Sequence, residues 1–313
     1  MIEIHKAYTE DFEILYPVLK ELDAAIPKET WRQLFVRHWD SHENYVGLKL
    51  VIDNKIAGFL GLIFSERIIN GNIEKICNWS SLIALKEYRD GVTPKQLILK
   101  ALEVEDCTIA GLTPTDKLYK IYMGLGFKEL DNGIRLLFRL GFNCRKYKKN
   151  IYYNDSVAQY LNEKDLKIFN DHKKFNCSHI LVKTEKGCIY ILLRKCRYPL
   201  NKLNLPRVIF YANILIKKIL GYSFLSSRPS FGKVHYCNDF ESLSLHINKH
   251  INDICKRTEI KGLLIDERFL NHRKIKNSIK GSWQKSVYKS NSKNPILPAD
   301  IDSLYSELFL LDL

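Results

Sequence analysis

The chain has 313 residues, of which 46% are apolar and 27% charged; this composition excludes a disordered or fibrous protein and predicts two globular domains. The N-terminus MIEIHKAYTEDF has neither the basic start nor the apolar core of an export signal, so we expect a cytoplasmic protein. Residues 1–140 hold 18 basic and 20 acidic side chains, whereas residues 141–313 hold 31 and 15. The second half, with a net charge of +16, is therefore a candidate surface for anionic partners.

Strands and helices alternate along the first 140 residues, which predicts an α/β fold with a mixed central sheet and helices on both faces. The polar turn Asp53-Asn54-Lys55 between two β-rich segments indicates a hairpin, and Thr93-Pro94 is typical of the start of a helix. The predicted elements are strands at 2–7, 45–52, 56–64, 73–85, 108–112 and 134–140, and helices at 9–22, 28–39, 93–102 and 116–124.

The basic stretch Cys144–Asn150 separates this set from the rest, and we predict two tandem domains, residues 1–143 and 144–313. The second half repeats the order of elements of the first, with a strand at 261–266 that matches the one at 108–112. This order suggests a duplicated fold with an insertion near residues 197–231; an unrelated α+β domain is the alternative.

Three features in the first half occur together and in a fixed order. The hairpin about Asp53-Asn54-Lys55 comes first, and residues 82–102 (LIALKEYRDGVTPKQLILKAL) then form a strand, a Tyr-Arg pair and a loop that opens a helix. A second helix ends in Tyr122-Met123-Gly124-Leu125-Gly126-Phe127. In these features the chain resembles the GNAT superfamily of acetyl-CoA-dependent N-acetyltransferases.

The resemblance implies an acyltransferase that takes acetyl-CoA or another acyl-CoA and acylates an amine of a small molecule, such as an amino sugar or amino acid. It implies that Tyr122 lies near the coenzyme sulfur and protonates the departing thiolate; an aromatic residue on a buried helix face is the alternative. The pantetheine arm would bind Leu82, Ile83 and Ala84. The pyrophosphate would bind the residues at the helix N-terminus, namely Arg89, Asp90, Gly91, Val92, Thr93 and Lys95.

Two departures from the family pattern weaken that loop, because Val92 and Pro94 stand where the family has glycines and Pro94 has no N–H. Glu74, on the strand that leads into the loop, is the candidate general base. Residues 144–313 carry neither the loop glycines nor the tyrosine helix, so a second copy of the fold would be degenerate and the chain would bind one coenzyme.

Other patterns favour structural roles. His246 and His250 share a helix face, but no Glu accompanies them and we expect no metal site. The eight cysteines lack paired short spacings and are expected to be reduced. The apolar segment 208–220 is interrupted by lysines, which leaves a surface helix on a membrane or a buried helix as alternatives.

A basic run with Trp283 and Tyr288 interleaved suits contact with nucleic acid or phosphate, although we favour an exposed loop with ordinary basic character. The basic residues of this run are Arg273, Lys274, Lys276, Lys280 and Lys285. Two other classes of protein therefore stay open, a noncatalytic protein with the acyltransferase fold and a basic module that binds nucleic acid or a membrane. The acceptor itself is either a neutral amine or an anionic one drawn by the basic second half.

Overall fold

The computed structural model describes residues 1–89, 92–138, 150–197, 230–270, 273, 275–294 and 296–311. The chain forms two compact units. Unit 1 consists of Met1–Leu130 together with Lys285–Leu313, and unit 2 consists of Asp131–Gln284.

The described residues form the following elements. The strands are β1 (Ile2–Ala7), β2 (Gly47–Ile52), β3 (Lys55–Ile69), β4 (Asn72–Ala84), β5 (Thr108–Gly111), β6 (Lys128–Leu130), β7 (Gly133–Phe138), β8 (Ile151–Tyr153), β9 (Ser178–Thr184), β10 (Gly187–Arg197), β11 (Ser230–Cys237), β12 (Gly262–Asp266), β13 (Ser278–Ser282) and β14 (Ser286–Ser290). The helices are α1 (Phe12–Leu22), α2 (Lys28–Arg32), α3 (Thr93–Ala101), α4 (Asp116–Gly124), α5 (Glu163–His172), α6 (Phe240–Arg257), α7 (Glu267–Leu270) and α8 (Glu307–Leu310). Short 3-10 helices lie at Thr9–Asp11, Gln33–Phe35, Lys86–Tyr88, Asn154–Tyr160 and Pro298–Asp300.

Unit 1 is built on a seven-stranded mixed sheet with the order β1-β2-β3-β4-β5-β14-β6. Its strands are antiparallel except for the pair β4 and β5, which is parallel. Helices α3 and α4 pack their buried faces on one side of the sheet, through Leu97, Ile98 and Tyr122, and α1 contacts β3 and β4. The predicted mixed sheet flanked by helices is confirmed in this unit.

The β2–β3 hairpin forms as predicted because its turn residues adopt the backbone that the turn requires. Asp53 and Asn54 both have positive φ values, 47° and 64°, which Asp and Asn tolerate better than other residues with side chains. Helix α3 begins at the predicted Thr93. The helix predicted at 28–39 is shorter, because α2 ends at Arg32 and continues only as a 3-10 turn.

Unit 2 repeats the architecture of unit 1 with the sheet order β13-β7-β12-β11-β10-β9-β8. Only β11 and β12 are parallel, and the other neighbours are antiparallel. Across the sheet from β8 to β13, neighbouring strands are therefore parallel or antiparallel in the same order as from β1 to β6 in unit 1. Its core lies between the sheet and α6, which contributes Leu243, Ile247, Ile251 and Ile254. The duplicated topology that the element order suggested is therefore present.

The division of the chain differs from the predicted boundary between residues 143 and 144. Strand β7 was expected to complete the first sheet, yet it pairs with β12 and β13 in unit 2. Strand β14 instead fills the corresponding position of unit 1, between β5 and β6. Pairing partners so distant in sequence cannot be read from the hydrophobic pattern of β7, which specifies a buried strand and not its neighbours.

Two sequence predictions fall outside the described residues, namely the linker 144–149 and the apolar segment 208–220. Among the helices that the structure describes, none is long and apolar enough to cross a membrane.

Candidate functional site

The parallel strands β4 and β5 separate in the middle of the sheet of unit 1. They pair from Ile76 with Thr108 to Asn78 with Ala110, where the Asn78 side chain donates a hydrogen bond of 3.3 Å to the Ala110 carbonyl. The ladder between the two strands ends at this pair. A cleft between diverging strands leaves backbone groups available to a ligand.

A β-bulge in β4 lies next to this point. Ser80 pairs with Gly61 and Ile83 pairs with Phe59, so two residues of β4, Ser81 and Leu82, lie opposite one residue of β3. Ser81 has a φ of 54°, in the left-handed region that few residues with side chains adopt. The bulge therefore changes the direction of β4 where β5 leaves it.

A pocket of about 290 Å³ occupies the cleft. Its walls come from α1 and the segment that follows, β4, the end of β5, α4 and the C-terminal segment of unit 1. The apolar lining residues are Leu22, Ile26, Trp31, Leu60, Trp79, Leu82, Pro114, Leu118 and Leu311. The others are Asp23, Ser80, Ser81, Gly111, Thr113, Thr115, Tyr122 and Glu307.

Tyr122 enters the pocket from helix α4. The helix is capped by Thr115, whose side chain accepts a hydrogen bond from the Leu118 N–H over 3.3 Å. The Tyr122 ring packs against Phe127 and Trp79, with centroids 5.1 and 5.6 Å away. Burial, and then the charge of Glu307, raise the pKa of the Tyr122 hydroxyl, so this group stays a proton donor at physiological pH.

Glu307 enters the same pocket from the first turn of α8 and is only 2% exposed. The Thr113 hydroxyl donates a hydrogen bond of 2.8 Å to its Oε1, whereas its Oε2 has no hydrogen-bond partner among the described residues. Burial raises the pKa of Glu307 to about 7, opposed in part by the Thr113 hydrogen bond. A carboxyl group that titrates near neutral pH is suited to general base catalysis.

Sequence reasoning missed Glu307. It stands alone in the apolar run Tyr305 to Leu311 (YSELFLL), and a single carboxylate in such a run is a sign of a buried ionisable group. The signal was available, but only the fold shows that this run covers the pocket.

The segment that carries Glu307 is fixed to the sheet by buried contacts. The Arg67 guanidinium of β3 forms an ion pair with Asp302 through both of its terminal nitrogens, and it also lies over the Tyr305 ring at 4.9 Å. The Trp39 ring meets the Tyr305 ring edge-on, with centroids 4.7 Å apart. These contacts position Glu307 from a part of the chain that is remote in sequence.

The structure places Glu74, the predicted base, away from the pocket. Its carboxylate accepts hydrogen bonds from Ser292 over 2.6 Å and Asn294 over 2.5 Å. Glu74 precedes the pocket residue Ser80 by six positions, which corresponds to about 20 Å along a strand. Both carboxylate oxygens are thus engaged in holding the segment that follows β14.

Of the residues expected to bind the coenzyme, Leu82 lines the pocket, and Ile83 and Ala84 pair with β3 at its side. Arg89 donates from Nε to the Ala84 carbonyl over 2.7 Å.

At the N-terminus of α3, Val92 is the N-cap, Thr93 is buried and Lys95 is exposed. Asp90 and Gly91 lie outside the described residues. The loop therefore leads from the pocket to a helix N-terminus, although Pro94 removes one donor from its first turn.

The other candidate residues are occupied by structural contacts. His250 is buried on α6, and no group of three or more His, Cys, Asp or Glu side chains suited to a metal occurs among the described residues. The seven cysteines in the described part of the chain are free thiols, and burial raises the pKa of Cys107 and of Cys177 to about 12, which disfavours a reactive thiolate.

Three residues of the basic run form ion pairs. Arg273 pairs with Glu241, Lys280 with Glu267 and Lys285 with Asp116, at 2.9, 3.7 and 3.8 Å. Lys274 lies outside the described residues. Tyr288 is buried in the core of unit 1 and is not available to stack on a base. These contacts weaken the case for a nucleic-acid surface at this run.

Comparison with solved structures finds related folds over most of the chain. A GCN5-related N-acetyltransferase from Kribbella flavida has a TM-score of 0.54 at 11% identity, over 93% of this chain and 71% of that one. A GCN5-related N-acetyltransferase from Anabaena variabilis has a TM-score of 0.51 at 11% identity, over 93% and 73%. A conserved protein from Enterococcus faecalis V583 has a TM-score of 0.52 at 9% identity, also over 93% and 73%.

No protein-family model matches the sequence, and comparison with curated proteins finds no relative. At identities near 10% the structural likeness concerns the fold alone. The expectation of a GNAT-like α/β fold is confirmed.

Proposed function

We propose that the chain is an acyl-CoA-dependent N-acyltransferase that uses the pocket of unit 1 to acylate an amine of a small molecule. Acyl-CoA supplies the acyl group as a thioester, which an amine attacks readily once the amine is neutral. The observation that carries the proposal is the meeting of a buried proton acceptor, Glu307, and a buried proton donor, Tyr122, at the cleft between β4 and β5.

Glu307 is the general base. As the N–C bond forms, the nitrogen becomes acidic and Glu307 takes the proton that the nitrogen releases. Its pKa of about 7 means that the carboxylate is well populated at neutral pH and yet binds a proton more strongly than an ordinary Glu. Thr113 donates a hydrogen bond to Oε1, which leaves Oε2, without a partner among the described residues, as the oxygen that would take the proton.

Tyr122 is the general acid. As the C–S bond breaks, the sulfur gains negative charge, and the hydroxyl of Tyr122 donates its proton to it. The raised pKa of Tyr122 keeps its hydroxyl protonated until negative charge develops on the sulfur. Glu307 gains one proton from the nitrogen and Tyr122 gives one proton to the thiol, so the two transfers balance. Exchange with water then restores both side chains.

The coenzyme would lie along β4. The backbone of Leu82 to Ala84 would bind the pantetheine arm, and the N-terminus of α3 with Arg89, Thr93 and Lys95 would bind the pyrophosphate. Because Val92 and Pro94 replace the glycines of the family, we expect weaker coenzyme binding than an intact loop provides.

Calorimetric titration with acetyl-CoA tests the proposal. We expect one equivalent per chain, because the sequence of residues 144–313 contains neither the loop glycines nor a second tyrosine helix. Mixing the complex with a set of primary amines should then release free coenzyme A thiol. Binding without thiol release for any amine would support a noncatalytic protein. Salt-sensitive retention on heparin without any response to acetyl-CoA would support a basic binding module instead.

A further inference from the structure

The pocket of unit 1 has two carboxylates and no basic side chain. Among its lining residues, all of which the structure describes, Asp23 and Glu307 are acidic and none is Lys, Arg or His. Asp23 is exposed, whereas Glu307 is buried with an Oε2 that has no partner in the described part of the chain. A buried carboxylate oxygen without a hydrogen-bond partner is stabilised by a cation and repels an anion.

The rest of the pocket wall is apolar and rich in aromatic rings. Trp31, Trp79 and Tyr122 line it together with leucines. Ring faces attract an ammonium group as well as apolar surface. The pocket measures about 290 Å³, and an apolar cavity of about 150 Å³ is enough for benzene. There is room for a ring-sized group and a short acyl group.

On the basis of the proposed function, we propose that the acceptor is a primary amine with an apolar, ring-sized body, which enters as the ammonium ion and pairs with Glu307. The ammonium loses its first proton through Glu307 to water, which leaves the neutral amine that attacks the thioester. Glu307, again a carboxylate, takes the second proton as the N–C bond forms. Net charge alone would favour anionic acceptors, because residues 141–313 carry a net charge of +16. The pocket has the opposite local charge, and contact with a buried carboxylate outweighs solvent-exposed charges, which salt screens beyond about 10 Å. An amino sugar bearing phosphate would place its anion among carboxylates and aromatic rings.

Pairing with an ammonium lowers the pKa of the carboxyl that accepts it. Because Glu307 titrates at about 7, part of the population is protonated in the free protein at pH 7. Binding of the amine should therefore release a fraction of a proton near pH 7, and the release should vanish when Glu307 becomes Gln. A residue that only supports the pocket wall would produce no such release.

The experiment compares three probes of similar shape in the presence of coenzyme A. 2-Phenylethylamine is cationic, 2-phenylethanol is neutral and 3-phenylpropanoate is anionic. Titration calorimetry in two buffers of different ionisation enthalpy gives both the affinity and the number of protons released. The variants are Glu307→Gln and, as a matched control, Glu103→Gln, an exposed residue of unit 1 that pairs with Lys100 outside the pocket.

We expect wild type and Glu103→Gln to bind the amine at least about tenfold more tightly than the alcohol, with proton release, and the anion most weakly. Glu307→Gln should bind the amine and the alcohol about equally, with no proton release. A preference for the anion, or an amine affinity unchanged in Glu307→Gln, would overturn this inference.

The outcome separates this inference from the proposed function. Acetyl transfer to an anionic amine, with no binding of 2-phenylethylamine, would overturn the acceptor class and leave the acyltransferase in place. Glu307-dependent binding of 2-phenylethylamine in a protein that never binds acetyl-CoA would support the ammonium site and overturn the acyltransferase.

Discussion

The hydroxyl of Thr113 donates a hydrogen bond to Oε1 of Glu307, which lies 194 residues further along the chain. Thr113 follows β5 and Glu307 opens α8, so this bond closes the pocket between two distant parts of the sequence. It also leaves Oε2 as the oxygen that can take a proton. The reactivity of Glu307 therefore depends on a contact that no local motif records.

The pH dependence of turnover should report Glu307. With a base whose pKa is about 7, kcat/KM should rise as pH increases through 7 and level off above it, because only the carboxylate accepts a proton. For Glu307→Gln, kcat/KM should be about 10²-fold lower than for wild type and should no longer rise through pH 7. Thr113→Val removes a hydrogen bond that lowers the pKa of Glu307, so the rise of kcat/KM in this variant should occur at higher pH. If kcat/KM of both variants rises at the same pH as that of wild type, the titrating group is not Glu307.

Tyr122→Phe should lower turnover with little change in affinity for acetyl-CoA, because only proton delivery to the sulfur is removed. Tyr119→Phe is the matched control, since Tyr119 lies on the same helix but its hydroxyl donates a hydrogen bond to Glu129 outside the pocket. Steady-state kinetics and calorimetry on both variants separate the two effects. Equal turnover of the two variants would show that Tyr122 is only a packing residue.

Gly111→Ala should damage the pocket through the Tyr122 ring. A methyl group at Gly111 would lie 3.3 Å from Val287 and 3.4 Å from Tyr122, closer than most such contacts, and overpacking costs about 1–3 kcal/mol. Gly124→Ala is the control, because nothing lies within 4 Å of the added methyl and Ala favours the helix by up to about 1 kcal/mol. Thermal unfolding should shift in opposite directions, and a stabilised Gly111→Ala would contradict the packing described.

Arg67→Ala should release the C-terminal segment and with it Glu307. Removal of one partner of a buried ion pair costs about 3–5 kcal/mol, because Asp302 is left without its counter-charge. Arg32→Ala, which breaks exposed pairs with Glu13 and Glu29, should change stability little. Denaturant unfolding and kcat/KM of both variants check the prediction. Similar stability and activity of the two would mean that this pair does not hold the segment.

Local chemistry made parts of the fold predictable. The β2–β3 turn has residues that accept positive φ, α3 has Pro94 in its first turn, and α4 ends near Gly126, whose φ of 82° favours glycine. These features depend on a few neighbouring residues, and the sequence displays all of them.

Other features depend on distant partners. Strand β7 has the same buried pattern in either sheet, so nothing local shows that β14 replaces it in unit 1. Glu74 was favoured as the base for its place before the coenzyme loop, yet its partners Ser292 and Asn294 are more than 200 residues away. The pocket residue Glu307 was missed because only the fold brings its segment to the pocket.

The most direct measurement is the mass-spectrometric detection of acylated amine formed from acetyl-CoA. Wild type at pH 8 should yield one N-acetyl product per coenzyme A thiol released, and the folded Glu307→Gln and Tyr122→Phe variants should form it at least about tenfold more slowly. Acetyl-CoA that stays intact with every amine, or that disappears equally fast in wild type and both variants, would contradict an acyltransferase site in unit 1.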